Sequence, residues 1–280
     1  MNNLKTVGLL AFMATLLFSL VYLIGGSLIW AAIFAVGFNL VAFFFSDRIA
    51  LASSRAKPVT EAEQPRLYGT VRRLTTQMDM PMPSVHIINS QQPNAFATGR
   101  SPKKAAVAVT TGILDVLDHS ELEGVLGHEL AHVRNRDILI SSIAAMIGAA
   151  IAIIARISLW TGGGNNRNNP LGIIGVVLSL IVAPLAAMLI RFAISRTREF
   201  QADRTGAEIT GQPLQLASAL EKISAGTSRI PMNVNAATSQ LFIDNPLKAV
   251  RRTGMSRLFS THPPTEERIE RLTNMAMGIS

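Results

Sequence analysis

Four long apolar blocks constrain this chain more than any other feature. Thr6–Ile24 carries no charge, and Leu28–Phe45 follows after only Gly25-Gly26-Ser27. Ile138–Trp160 is interrupted by Arg156, and Leu171–Ile194 by Pro184 and, near its end, Arg191. A helix needs ~20 mainly apolar residues to cross ~30 Å of hydrocarbon, and the blocks match that length. Proline is tolerated inside a membrane helix, and a terminal arginine can reach the headgroups. The blocks therefore predict four transmembrane helices, at 6–24, 28–45, 138–160 and 171–194. A cleaved signal peptide would account for the first, but no small-residue cleavage site follows it and a second apolar block begins at once. Buried core helices would be nearer 10–14 residues.

Composition agrees: 49% of residues are hydrophobic and 16% charged, against about a quarter charged in globular domains. The net charge of +8 does not point to nucleic acid, because no basic run interleaves with aromatics and no nucleic-acid motif is present. The basic residues instead flank the apolar blocks. Arg48, Arg55, Lys57, Arg134, Arg136, Arg196 and Arg198 lie on one side, while the loop Thr161–Pro170 has only Arg167. By the positive-inside rule both termini and both polar regions face the cytosol. The predicted organisation is a membrane hairpin (1–45), a cytosolic segment (46–137), a second hairpin (138–194) and a second cytosolic segment (195–280).

Within the polar segments, Pro65–Met80 reads as an amphipathic helix and Ser84–Asn89 as a short strand. A turn at Pro93-Asn94 precedes a second strand, Ala105–Thr110, whose edge is available to an extended peptide. Ser120-Glu121-Leu122-Glu123 has the form of a capping box and predicts a helix start. Further helices are expected near Arg198–Thr210, Pro213–Ala225 and Pro264–Met275. Neither segment is large enough to be comfortable alone. Together they form one small, mostly helical α+β domain split by a membrane hairpin.

The helix opened by that box contains His128-Glu129-Leu130-Ala131-His132. Spacing i, i+4 puts two imidazoles on one face, within reach of one ion, with Glu129 beside them to act on a water. The chain has no cysteine, so any zinc must be held by His and carboxylate. Catalytic zinc takes three protein ligands and leaves a position open. Of the other histidines, His119 sits awkwardly beside the helix start and His86 lies in a strand. Glu199 is the better third ligand, since it opens a helix just past the last apolar block. Asp203 falls one turn later on the same face, placed to accept the second ring N–H of a ligating histidine. Only five residues separate His132 from Ile138, and four separate Ile194 from Glu199. The metal should therefore sit within ~10–15 Å of the membrane surface. A scaffold with a structural zinc clip would need a fourth protein ligand and would give Glu129 no purpose.

His128–His132, the run Ser195–Asp203, Asn94–Gly99 and Ser260–Arg268 together resemble the HtpX membrane proteases, and the likeness runs over the whole chain. The related CAAX prenyl endoproteases have more spans enclosing a chamber, which four spans do not match. The resemblance implies a zincin-like catalytic domain with one Zn2+, His128, His132 and Glu199 as ligands, Glu129 as general base and Asp203 behind them. It further assigns Asn94 to the substrate cleft and His262 to stabilising the transition state. The implied partners are membrane-protein substrates and the lipid bilayer of the bacterial inner membrane, in stress-linked quality control. A homo-oligomer is left open.

Overall fold

The computed structural model describes residues 27–139, 141–143, 196–234, 238–249 and 263–279, together with scattered positions between 7 and 22. Thr6–Ile24 is thus covered only in part and Ile138–Trp160 only at its first residues, while Leu171–Ile194 lies outside the described residues. The second apolar block is helical, and the helix, α1, runs Leu28–Ser53. It extends eight residues beyond the expected end at Phe45. No single described helix is long and apolar enough to cross a membrane. Leu28–Val41 and Phe43–Ser53 meet that test together, as a pair bent by 59°. The extension has a packing reason: Ala50, near the end of α1, is buried against Ile88, Phe96, Phe242 and Leu241. Toward its start the apolar side chains Ile29, Trp30, Ile33, Phe34 and Val36 are exposed.

A four-stranded sheet forms the centre of the polar domain, in the order β1-β2-β4-β3. The strands are β1 (Lys57–Pro58), β2 (Ser84–Ile88), β3 (Ala95–Gly99) and β4 (Ala105–Thr110). β2 and β4 pair in parallel, Ser84 opposite Ala106 through Ile88 opposite Thr110. β3 runs antiparallel to β4, Ala95 opposite Val109 through Gly99 opposite Ala105. Every residue of β4 is buried, and the period-2 alternation divides its side chains between two cores. Val107 and Val109 join the larger cluster with Val85 and Ala97, while Ala108 faces the smaller one with Phe96 and Phe242.

Two expectations change here. β3 (Ala95–Gly99), which follows the Pro93-Asn94 turn, is a strand absent from the expected elements, and it takes the outer position. β4 is therefore an interior strand, with both edges paired, and cannot offer an edge to a peptide. The short, small-residue β3 (Ala-Phe-Ala-Thr-Gly) carries little β-propensity and is fixed instead by its ladder with β4.

The helices are α2 (Pro65–Gln77), α3 (Thr111–Val116), α4 (His119–Arg134), α5 (Arg196–Thr210), α6 (Pro213–Arg229) and α7 (Thr265–Ala276). The cap of α4 lies two residues before the expected one. Asp118 accepts from the Glu121 N–H at 2.8 Å, and Glu121 returns to the Asp118 N–H at 2.9 Å. The same Glu121 receives Ser218 at 2.7 Å and Lys222 at 2.7 Å, so one carboxylate both caps α4 and ties it to α6. Nearly all of α4 is buried, making it the central helix of the domain.

α4 crosses α5 at unusually close range. A Cβ added to Gly206 would stand 2.7 Å from the His128 backbone nitrogen and 2.9 Å from the Gly127 carbonyl carbon. Both obstacles are backbone, so the helices would have to move apart. Gly206→Ala is expected to destabilise the fold by about 1–3 kcal/mol and to weaken metal binding with it. Denaturant titration and a zinc competition assay check this; unchanged values in both would show that the crossing tolerates a methyl group.

Candidate metal centre and active site

The i, i+4 spacing on α4 stacks His128 above His132, their ring centroids 4.7 Å apart and their planes at 88°. The two Nε2 atoms face each other at 3.2 Å. Glu199, in the first turn of α5, completes the group. Its Oε1 is 3.5 Å from His132 Nε2 and its Oε2 is 3.9 Å from His128 Nε2. One ligand atom from each residue lies within 4.8 Å of the other two. This is the arrangement the spacing predicts. Glu129 is also buried and lines the same cavity, with Ala97, Ile138, Ser141, Gln240, Leu241 and Ile243 around it.

Each ligating ring is held from behind by a carboxylate. Asp203 Oδ1 lies 2.8 Å from His128 Nδ1, as its position one turn after Glu199 predicts. Asp137 Oδ2 lies 3.3 Å from His132 Nδ1. Carboxylates at both Nδ1 atoms favour the tautomer with the proton on Nδ1, which leaves the Nε2 lone pairs directed at the shared space. Each carboxylate is in turn held by an arginine. Arg268 on α7 grips Asp203 with Nε at 2.8 Å and Nη2 at 2.6 Å, and Arg198 reaches Asp137 at 3.4 Å. Arg268 is 2% exposed, and its Nη1 also donates to the Ile243 carbonyl at 3.2 Å.

Asp137, Arg198 and Arg268 were not singled out from the sequence. Arg268 left a signal: it precedes Leu272 by one turn on the buried face of α7, and an arginine at a core position requires a buried anion. Asp137 left none. It returns to His132 through a turn in which Arg136 adopts φ 59°, a left-handed conformation unusual for a residue other than glycine.

The remaining assigned residues fall differently. Asn94 is fully buried and does not line the cavity. Its Nδ2 donates to the Asp244 carbonyl at 2.8 Å, and its backbone N–H donates to Thr110 Oγ1 at 2.9 Å. The side chain expected in the substrate cleft is committed to fixing the start of β3 against the 242–244 segment, because its amide is consumed within the fold. His262 lies outside the described residues. His86 is buried in β2 beside Ser84 Oγ at 3.1 Å, and burial lowers its pKa.

Two neutral Nε2 acceptors 3.2 Å apart repel unless a proton or cation lies between them. The surrounding charges decide where a proton goes. Burial, with Arg268 and His132 adding to it, outweighs Asp203 and takes His128 down to about 4. Burial also works against a charged His132, but Glu199, the Asp137 hydrogen bond and Glu129 outweigh it and raise His132 to about 9. The site is therefore built to hold a positive charge, and its two imidazole nitrogens and one carboxylate suit a divalent transition metal.

A buried pair of helical histidines, a carboxylate ligand from a second helix and an acid beside them define a metallopeptidase. Residues 61–276 match peptidase family M48. A protease HtpX homolog of Desulfatibacillum aliphaticivorans is 49% identical over 279 residues, 97% of this chain and 89% of its own length. Another, of Thermodesulfovibrio yellowstonii, is 50% identical over 282 residues, covering 99% of each. The chain belongs to peptidase family M48. Among solved structures, that of S. mikatae Ste24p superposes with a TM-score of 0.53 at 18% identity over 97% of this chain and 65% of the other. At that identity the likeness is one of fold.

The histidine pair gives a sign to metal uptake. A proton resides on His132 below its raised pKa of about 9, whereas His128 is already neutral above about 4. Ligands bind as free bases, so zinc loading near pH 7.5 is expected to release about one proton, and apparent affinity to rise with pH until about 9. Calorimetry in two buffers of different ionisation enthalpy measures this. Release of no proton, or affinity falling with pH over that range, would contradict the charge assignment.

Proposed function

We propose that this chain is a membrane-anchored zinc metalloendopeptidase that cleaves cytosolic regions of misfolded or damaged membrane proteins. The observation that carries the reading is the convergence of His128, His132 and Glu199 on one point, with Glu129 buried beside them. Zinc is the metal of choice for two imidazoles and one carboxylate in a cysteine-free chain. When bound, it supplies a Lewis acid that polarises a carbonyl and brings the pKa of water from ~15.7 toward ~7. Glu129 takes the proton of the attacking water and hands it to the leaving amine as the C–N bond breaks. His262 is assigned the role of hydrogen-bond donor to the oxyanion.

The kinship with HtpX homologues supports a membrane setting, as do the exposed apolar residues of α1 and the short distance in sequence from His132 to the third apolar block. In this reading 6–24, 28–45, 138–160 and 171–194 cross the bilayer of a bacterial inner membrane, and 46–137 and 195–280 form the cytosolic domain. An unfolded segment of a membrane protein is the natural substrate, because the site lies near the surface and takes main chain. With β4 interior, β3 is the strand edge beside the metal centre, and Ala97 already borders the cavity. Asn94 shapes the substrate cleft through the backbone that it holds.

The test uses detergent-purified full-length protein and a membrane protein with an unfolded cytosolic extension. Wild type with zinc is expected to cleave it, and chelator to abolish cleavage. Glu129→Gln is expected to lose about 10²–10⁴-fold in rate with zinc content unchanged. Equal cleavage by wild type and Glu129→Gln would remove Glu129 from the chemistry.

A further inference from the structure

Gln240 sits on a short 3-10 turn, Ser239–Leu241, that packs against β3. It is 7% exposed and lines the cavity that holds His128, Glu129, His132 and Glu199. Its Nε2 is buried and makes no hydrogen bond among the described residues. The contrast with its neighbours is informative. Gln92, also fully buried, donates Nε2 to the Pro246 carbonyl at 2.9 Å, and Asn94 donates to Asp244. Gln92 and Asn94 thus use their amide N–H groups to tie loops together, whereas the Nε2 of Gln240 ties nothing among the described residues.

An unsatisfied buried N–H donor costs roughly 1–3 kcal/mol, so a fold that merely needed bulk here would be more stable with an apolar residue. The apolar part of the cavity wall is Ala97, Leu241, Ile243 and Ile138, and the one hydroxyl in the lining, Ser141, makes no hydrogen bond with Gln240 Nε2. The carboxylates in the lining, Glu129 and Glu199, belong to the metal centre. What enters during turnover is a peptide, and each of its residues brings a carbonyl oxygen. We infer that Gln240 is a substrate-binding residue whose Nε2–H donates to a carbonyl oxygen of the peptide in the metal cavity. This rests on the peptidase reading above and adds a recognition element that takes main chain without reading side chains.

The decisive variant is Gln240→Met, which keeps the length of the side chain and removes the donor. In zinc-loaded full-length protein in detergent, kcat/KM on a fluorogenic peptide is expected to fall by roughly ten-fold, the worth of one hydrogen bond. The melting temperature and zinc content are expected to hold or rise, since a buried orphan donor has been removed. A fall in kcat at constant KM would mark the reacting carbonyl as the partner, and a rise in KM a neighbouring one. Activity within two-fold of wild type overturns the inference, and so does a loss of activity that follows a lower melting temperature and lost zinc. Binding of a fluorescent peptide to zinc-loaded Glu129→Gln, with and without Gln240→Met, separates the two levels of the argument. Equal affinity there removes Gln240 from recognition even if the enzyme is a peptidase. Weaker binding to the double variant supports it even if no substrate that is cleaved has been found.

Discussion

Helices α4 and α5 meet backbone to backbone where Gly127 faces Gly206, and the metal centre is a consequence of that contact. Helices bearing ordinary side chains pack 8–10 Å apart. Here the added Cβ at Gly206 would collide with His128 itself, so α5 lies against the very turn of α4 that carries the ligands. With the axes this close, Glu199 reaches the two Nε2 atoms and Asp203, one turn on, reaches His128 Nδ1. Two helices contribute both the ligands and one of the groups that orient them, and no loop intervenes between the metal site and its support. Ligands mounted on helices are held more closely than ligands on loops.

The second consequence is electrostatic. His128, Glu129, Asp137, Glu199, Asp203 and Arg268 are all buried around one point, where an isolated charge is expensive. The charges are compensated in two arms, His128–Asp203–Arg268 and His132–Asp137–Arg198. Asp203 is held far below the usual carboxylate range because Arg268 and His128 outweigh its burial. Around His132 the balance is negative, with Glu199, Glu129 and Asp137 facing one imidazole. A cation relieves that excess. The arms also differ in origin. Arg268 comes from the last helix, whereas Asp137 and Arg198 lie just before the third apolar block and just after the fourth. Orientation of His132 therefore depends on the meeting of Asp137 and Arg198, which lie far apart in the sequence.

The pairing of His128 with His132 was legible in the sequence because i, i+4 spacing is a property of the helix and needs no tertiary knowledge. Glu199 and Asp203 followed from the same rule on a second helix. The helices at Pro65, Pro213 and Thr265 were also readable, each opened by or just after a proline and each amphipathic. What escaped depends on long-range pairing. β3 is made of small residues and a glycine, and only its ladder with β4 makes it a strand; missing it put β4 at an edge. The cap of α4 was misread because Asp118 and Ser120 both have a glutamate three residues on, and Asp118 forms the box. Asp137 is invisible for a stronger reason: its contact with His132 goes through a left-handed Arg136, which composition does not announce. Asn94 has a clear local motif, but that its side chain holds the start of β3 against Asp244 depends on a contact 150 residues away in the sequence.

The central claim is that this chain binds its metal through two imidazoles of one helix and one carboxylate of another. X-ray absorption at the zinc edge of the full-length, zinc-loaded protein tests it most directly. The account predicts a sulfur-free first shell with two imidazole nitrogens at about 2.0–2.1 Å and carboxylate oxygen at about 2.0–2.2 Å. The Glu199→Ala variant should keep the imidazole scattering. A shell of oxygens without imidazole scattering, or one with a single histidine, would contradict the account.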